Sequence, residues 1–281
     1  MSGLPPRFEL KELITKAVRL GKRRKILIVE GNSDKRFFEE WIRQAGISED
    51  MVEIWPISWI NVSNDLVKQH NLNSSERSRI LAGAMHAEKI IDGNRALRFV
   101  ADRDMGQELD RFESPTCLLI TDYPAIESYG LSEQVITHFN NKYCRGKLPA
   151  SASIFGHLCE VVHKLYEFRK PDPYRKNPDY DRGAKGVEED LLKFDAAKVF
   201  DCRETCTSVT SEYGDHLDPR SKAYGHDIVG VLFSVYKRRF KNNLKCSDST
   251  LVEDWFRYSI VDVRACDDEV MFRSLASFLN D

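Results

Sequence analysis

The chain has 281 residues, of which 42% are hydrophobic and 31% charged, as in a globular protein with a sizeable core. No segment approaches about 18 uncharged apolar residues and the first residues lack a signal-peptide core, so the sequence predicts a cytoplasmic protein without membrane spans. A net charge of −2 excludes a globally basic nucleic-acid binder, and contacts with phosphates would need local basic patches.

The first half of the chain alternates between helical and extended patterns. Residues 1–24 predict a helix followed by a basic link. Extended patterns recur at residues 26–29, 51–62 and 96–104, and residues 116–131 carry a fourth strand that runs into a helix. A helical pattern at residues 33–46 follows the first of them, and the proline of the second predicts a strand edge or end. The order predicts an α/β domain at residues 25–135, with a mostly parallel central sheet flanked by helices.

The second half of the chain, residues 136–281, has a mainly helical pattern. Its last aromatic side chains favour either a core or a homodimer or partner surface: Trp255, Phe256, Tyr258, Phe272 and Phe278. Two segments, 166–186 and 236–245, combine basic and aromatic residues. They are either a surface loop and a solvated helix face, or nucleic-acid contacts made by Arg175, Lys176, Lys237, Arg238 and Arg239.

The seven cysteines are scattered, which favours reduced thiols. Cys202 and Cys206 form the closest pair. Zinc is one interpretation of this pair, with His216, or His157 and Cys159, as further ligands. Buried thiols are the other, and the absence of a second close pair favours it.

Acidic residues stand where the predicted strands end. Glu30 ends the first strand, Asp102 and Asp104 end the third, and Asp122 ends the fourth, with Glu127 five residues further on. Functional groups gather at the carboxyl edge of a parallel sheet. If the third strand stays extended, Asp102 and Asp104 project to the same side, where a cation would offset their repulsion. Oxygen ligands of this kind suit Mg²⁺ or Mn²⁺.

An ion of this class beside a phosphate activates water and stabilises developing charge. Glu30 would ligate the ion or accept a proton, and Gly31 would allow a sharp turn after the strand. A single acid after a strand is more often a cap or turn former, but several strand ends together favour a metal site. The chain contains no Walker A motif, so ATP is expected to act only through a partner.

Three segments, "IVEGNSDKRFF", "VADRD" and "ITDYPAIESYG", resemble the signatures of a TOPRIM domain. With "YGHDIVGVL" near residue 226, the chain is similar to TOPRIM-like nucleases of the OLD/PARIS type, which are encoded beside ABC-type ATPases and include the AriB-type effectors of anti-phage systems. The motifs cover roughly residues 25–131 and 222–232. The resemblance implies Mg²⁺-dependent cleavage of nucleic acid, RNA such as tRNA being favoured over DNA, and a toxic effector restrained by the ATPase.

The same resemblance implies roles for particular residues. Its metal ligands would be Glu30, Asp102, Asp104 and Glu127, with Asp34 and Asp122 in support. Glu30 would also act in catalysis. Lys222 and His226 would meet the transition-state charge, although His226 at a helix start is equally explained by capping or packing, and Asp227 by a cap. The alternative function is a catalytically silent TOPRIM-like module that binds a partner ATPase or nucleic acid.

Overall fold

The computed structural model describes residues 7–21, 23–90, 96–104, 115–170, 178–200 and 218–281. The chain divides into two compact units. Unit 1 comprises Met1–Arg103, Gln107–Asp122 and Asp267–Asp281, and unit 2 comprises Asp104–Gly106 and Tyr123–Cys266. The domain boundaries expected after residues 24 and 135 stay a prediction.

The strands of the described residues all belong to unit 1. They are β1 (Phe8–Glu9), β2 (Lys25–Val29), β3 (Val52–Pro56), β4 (Ile60–Asn61), β5 (Leu97–Ala101) and β6 (Leu118–Ile120). One sheet has the order β3-β2-β5-β6, a second pairs β1 with β4, and every pairing among the described strands is parallel. The predicted α/β class with parallel sheets flanked by helices is confirmed.

Helices make up most of the remaining described chain. They are α1 (Leu10–Leu20), α2 (Asn32–Gln44), α3 (Asn64–Gln69), α4 (Glu76–Ile90), α5 (Glu133–His138), α6 (Ser151–Arg169), α7 (Tyr180–Gly183), α8 (Ala196–Val199), α9 (Gly225–Val235), α10 (Lys237–Asn243), α11 (Ser249–Asp262) and α12 (Val270–Asn280). Short 3₁₀ helices span Glu49–Met51, Ile57–Trp59, Ile126–Gly130, Leu191–Lys193 and Pro219–Lys222, and a π-helical turn spans Phe139–Tyr143. Within the described ranges, no helix combines the length and apolar character that crossing a membrane requires.

Strand β2 lies at the centre of the core of unit 1. Its residues from Ile26 to Val29 are fully buried, as expected for an inner strand of a parallel sheet that is covered on both faces. Pro56 is the last residue of β3, the edge strand, where a missing backbone N–H costs no ladder hydrogen bond. The predicted position of this proline is confirmed.

The last helix of the chain belongs to unit 1. Phe272 of α12 packs against Phe37, Phe38 and Trp41 of α2, with ring centroids 5.3–6.1 Å apart. Phe272 is fully buried and Phe278 nearly so. In unit 2, Phe256 is fully buried as well. Phe256, Phe272 and Phe278 therefore lie in a core, which is one of the two positions that the sequence favoured for them.

Candidate functional site

Two acidic residues meet at the carboxyl edge of the four-stranded sheet. Glu30 follows β2 and Asp102 follows β5, and these strands are parallel neighbours. The backbone N–H of Asp102 donates a hydrogen bond of 3.0 Å to Oε1 of Glu30. Both residues are partly exposed, so water and ligands can reach them. This edge of unit 1 therefore presents carboxylate oxygens, the ligand type that Mg²⁺ and Mn²⁺ prefer.

The segment after β5 is held in place by side chains of unit 1. Arg77 of α4 donates from Nε to the carbonyl of Asp102 at 2.8 Å and from Nη2 to the carbonyl of Arg103 at 3.1 Å. The N–H of Arg103 donates to Oγ1 of Thr121 at 2.8 Å. These bonds fix the backbone of Asp102, and through its N–H they also fix the position of the Glu30 carboxylate.

Asp34 caps the helix that follows Glu30. Its Oδ2 accepts a hydrogen bond of 3.0 Å from the N–H of Gly31, at the start of α2. Gly31 has φ −142° and ψ −179°, an extended conformation open to any residue, so the expected need for a sharp glycine turn was wrong. A Cβ at this position would come no nearer than 3.9 Å to another side chain. The supporting role predicted for Asp34 stays a prediction beside this cap.

Asp122 also caps a helix. Its Oδ2 accepts a hydrogen bond of 3.1 Å from the N–H of Met271, in the first turn of α12. A carboxylate is favourable there because the first N–H groups of a helix have no partner within it. The acid at the end of β6 thus joins this strand to the last helix of unit 1.

The backbone changes direction before Asp104. Strand β5 ends at Ala101, and Asp104 has φ 55°, in the left-handed region. The extended stretch on which the common projection of Asp102 and Asp104 depended is therefore absent, and that expectation was wrong. Asp104 belongs to unit 2, where its N–H donates to the carbonyl of Pro124 at 2.8 Å.

Unit 2 contains a second group of acidic side chains, centred on Glu127. This residue lies in the 3₁₀ helix Ile126–Gly130 and its side chain is 1% exposed. Arg257 of α11 donates to Oε1 of Glu127 from both Nε and Nη2, at 2.6 and 2.5 Å. The same Nη2 lies 3.3 Å from Oε1 of Glu253, one helical turn earlier. One buried guanidinium thus links two glutamates.

His226 completes this group. It lies in the first turn of α9, and its Nδ1 is 3.7 Å from Oε2 of Glu253. Ligand atoms of Glu127, His226 and Glu253 all lie within 4.8 Å of one another, an arrangement that can hold a metal ion. The sequence had suggested Glu127 and His226 but missed Glu253. A signal for it existed in the spacing of Glu253 and Arg257, which places an acid and a base on one helical face.

A glycine permits the close approach within this group. Gly225 is the first residue of α9, and a Cβ there would lie 2.0 Å from Oε2 of Glu127 and 2.7 Å from the Cβ of Ala125. Only glycine leaves room for the Glu127 carboxylate at the start of this helix.

The charges of the group act on one another. Contact with the Glu253 carboxylate, helped by Glu127, raises the pKa of His226 to about 9. Burial raises the pKa of Glu253, but His226 and Arg257 outweigh it and hold this pKa below its ordinary value. In the absence of a ligand the imidazole is therefore protonated near pH 7.

A cleft of about 580 Å³ opens beside the group. His226 and Glu253 line it together with residues of α7 and α9, among them Tyr180, Asp181 and Gly230. The side chain of His226 is 61% exposed. Solvent and small ions can therefore reach two of the three candidate ligands.

Two other predicted positions in unit 2 have partners. Nζ of Lys222 lies 3.5 Å from Oε1 of Glu167 on α6. Asp227 is fully buried and forms a two-pronged ion pair with Arg169, and it also accepts a hydrogen bond of 2.6 Å from the hydroxyl of Tyr180. Asp227 therefore anchors α9 to α6 and α7, which is more than the helix cap suggested by the sequence.

Two basic side chains of residues 236–245 form ion pairs with acidic side chains of unit 2. Lys237 pairs with Asp181, and Nε of Arg239 lies 2.6 Å from Oε2 of Glu189. Arg238 lines a cleft of about 660 Å³ of mixed charge. A nucleic-acid-binding role for these three basic residues stays a prediction.

Some predicted positions lie outside the described residues: Arg175, Lys176, Cys202, Cys206 and His216. The described cysteines are buried thiols: Cys117, Cys144, Cys159, Cys246 and Cys266. Burial raises the pKa of Cys117 and of Cys144 to about 12, which makes these two thiols unreactive.

Comparisons with protein-family models and with curated proteins found no match to this chain.

Proposed function

We propose that this chain is a divalent-metal-dependent nuclease of the TOPRIM type, similar to the OLD/PARIS nucleases. The supporting observation is that Glu30 and Asp102 follow neighbouring strands at the carboxyl edge of a parallel sheet, where the backbone N–H of Asp102 donates a hydrogen bond of 3.0 Å to the Glu30 carboxylate. Ligands of α/β sheets bind at this edge. The donor set fits the proposed ion, since Mg²⁺ and Mn²⁺ are bound through one or two carboxylates together with substrate phosphates.

Each residue at this edge has a definite part in the proposal. Glu30 and Asp102 would hold Mg²⁺ or Mn²⁺, and the N–H of Asp102 sets the orientation of Glu30. Arg77 keeps the backbone of Asp102 in place through two carbonyl contacts. The ion, when bound, would supply activation of water and stabilisation of charge on the phosphate. The contact between Lys222 and the substrate stays a prediction.

Substrate and partner follow from the resemblance. We favour RNA, tRNA in particular, over DNA, and an ABC-type ATPase as the partner that restrains a toxic effector. The described part of unit 2 offers basic side chains, but Lys237 and Arg239 are engaged with acids. Nucleic acid would have to displace those ion pairs, of which Lys237–Asp181 is exposed and weak enough to exchange, whereas Arg239–Glu189 is half-buried.

The test is a cleavage assay on the purified full chain. Labelled tRNA, single-stranded RNA and duplex DNA are incubated with Mg²⁺, Mn²⁺ or a chelator. Glu30→Gln is the informative variant, because its side-chain oxygen can still accept the N–H of Asp102 while the charge is lost. Glu39→Gln is the matched control: Glu39 lies on α2, is 51% exposed and pairs only with Lys35 among the ion pairs of the described residues.

We expect metal-dependent cleavage of at least one substrate by the wild type and by Glu39→Gln, and a loss of about 100-fold or more in Glu30→Gln. Circular dichroism checks that both variants fold. Cleavage that survives chelation, or that is unchanged in Glu30→Gln, contradicts the proposal. A folded wild type that binds nucleic acid but cleaves no substrate with either metal favours the silent binding module.

A further inference from the structure

Glu127, His226 and Glu253 come from three separate elements of unit 2. Glu127 lies in the 3₁₀ helix Ile126–Gly130, His226 in α9 and Glu253 in α11. Their ligand atoms nevertheless lie within 4.8 Å of one another. We propose that these three side chains bind one transition-metal ion, Zn²⁺ by preference, independently of the acids at the sheet edge.

Arg257 contacts one carboxylate oxygen of each glutamate and leaves the other oxygen of each for the ion. It contacts Oε1 of Glu127 and Oε1 of Glu253, whereas Oε2 of Glu253 faces His226 and Oε2 of Glu127 faces the start of α9. A metal-binding carboxylate is commonly held by a hydrogen bond to its second oxygen, which orients the first. Arg257 is 5% exposed and fits that supporting role for both glutamates at once.

The site has an entry path and room to close. His226 and Glu253 line the cleft of about 580 Å³, and the side chain of His226 is 61% exposed. Ligands in a tetrahedral zinc site lie about 3.4 Å apart, given bonds of about 2.0–2.2 Å. Movement of the exposed His226 side chain can bring the ligand atoms closer. Glu127 can then stay in place and keep its buried contact with Arg257.

The ligand set selects the class of ion. Mg²⁺ and Ca²⁺ take oxygen ligands, whereas imidazole favours zinc and its neighbours among transition metals. Two carboxylates and one imidazole also leave a position for water or a further ligand, as in open zinc sites. We therefore expect Zn²⁺ to bind where Mg²⁺ does not.

The experiment measures retained metal in the full chain. Protein is stripped with a chelator, desalted, mixed with Zn²⁺ or Mg²⁺ and passed through gel filtration, and the metal per chain is then measured by mass spectrometry. Thermal unfolding is recorded with and without each ion. The variants are His226→Asn and Glu253→Gln, with Glu160→Gln as the matched control because Glu160 is an exposed glutamate on α6.

The wild type and Glu160→Gln should retain about one Zn²⁺ per chain and unfold at a higher temperature with it. His226→Asn and Glu253→Gln should lose both effects, and because the His226 side chain is exposed, its variant keeps the fold. A wild type that retains no Zn²⁺, or variants that retain as much as the wild type, overturns the proposal. Zinc held by cysteines elsewhere would survive in both variants and would give the second of these results.

The sheet-edge variant separates this site from the proposed nuclease. Glu30→Gln should retain Zn²⁺ in full, whether or not it cleaves nucleic acid. Loss of zinc in Glu30→Gln would contradict an independent site, while loss of cleavage alone would leave it intact.

Discussion

The substitution Gly225→Ala places a methyl group where unit 2 has no space. The new Cβ would lie 2.0 Å from Oε2 of Glu127, about 1.5 Å short of an ordinary contact of about 3.5 Å. Glu127 cannot move freely, because Arg257 holds its other oxygen at 2.5 Å. Overpacking alone costs about 1–3 kcal/mol, and separation of the buried ion pair would cost about 3–5 kcal/mol. We expect a loss of at least about 3 kcal/mol in the free energy of unfolding.

The same substitution at Gly156 is the matched control. Gly156 is exposed within α6, and a Cβ there meets no atom within 4 Å. Gly156→Ala should stabilise the chain by about 0.5–1 kcal/mol, because alanine restricts the unfolded chain and favours the helix. Urea unfolding followed by circular dichroism measures both variants. A Gly225→Ala variant within about 0.5 kcal/mol of the wild type would refute the packing described around Glu127.

Three further experiments test separate contacts. Asp227→Asn leaves the buried Arg169 without a counter-charge and should lower the free energy of unfolding, measured in urea, by about 3–5 kcal/mol. Adding Arg169→Met should recover part of that loss. If the costs of the two substitutions simply add, the pairing is contradicted. Burial raises the pKa of Glu88, but hydrogen bonds from Thr116 and Cys117 outweigh it and hold this pKa below its ordinary value. The stability that Glu88 contributes is therefore present above about pH 4.3 and lost as the pH falls through the lowered pKa, so the unfolding midpoints of the wild type and Glu88→Gln should converge in acid; a gap that persists there contradicts this. Arg77→Met should reduce cleavage about 10–100-fold and raise the Mn²⁺ concentration needed for half-maximal rate, whereas an unchanged metal requirement would make Arg77 merely structural.

Local patterns predicted the sheet well. The apolar run at residues 26–29 has the composition of a strand covered on both faces, and β2 is such a strand. Pro56 ends an edge strand because proline cannot donate to a ladder. These features depend on neighbours in sequence, which is why periodicity and residue type were sufficient for them.

The site was harder to predict because its contacts are distant in sequence. Glu127 and Arg257 are separated by 130 residues, and no periodic signal connects them. The pairing of Asp122 with the start of α12 spans 149 residues. Periodicity identified the helices but not the core to which each belongs, so the assignment of α12 to unit 1 needed the structure.

Residue type alone also misled at two positions near the strand ends. Gly31 suggested a turn, yet its backbone is extended, and the hydrogen bond from its N–H to Asp34 depends on a backbone group that any residue except proline carries. Alternation along β5 suggested that Asp102 and Asp104 share a side, yet the strand ends at Ala101 and Asp104 has φ 55°. At both positions the direction of the chain depends on the backbone conformation, which the sequence pattern does not specify.

The rate of tRNA cleavage as a function of Mn²⁺ concentration, for the wild type, Glu30→Gln and Glu39→Gln, tests the central claim most directly. The claim predicts a saturable dependence on Mn²⁺ for the wild type and Glu39→Gln, and a rate at least about 100-fold lower for Glu30→Gln. Equal rates for the two variants, or cleavage without any divalent ion, would contradict a metal-dependent site at Glu30 and Asp102.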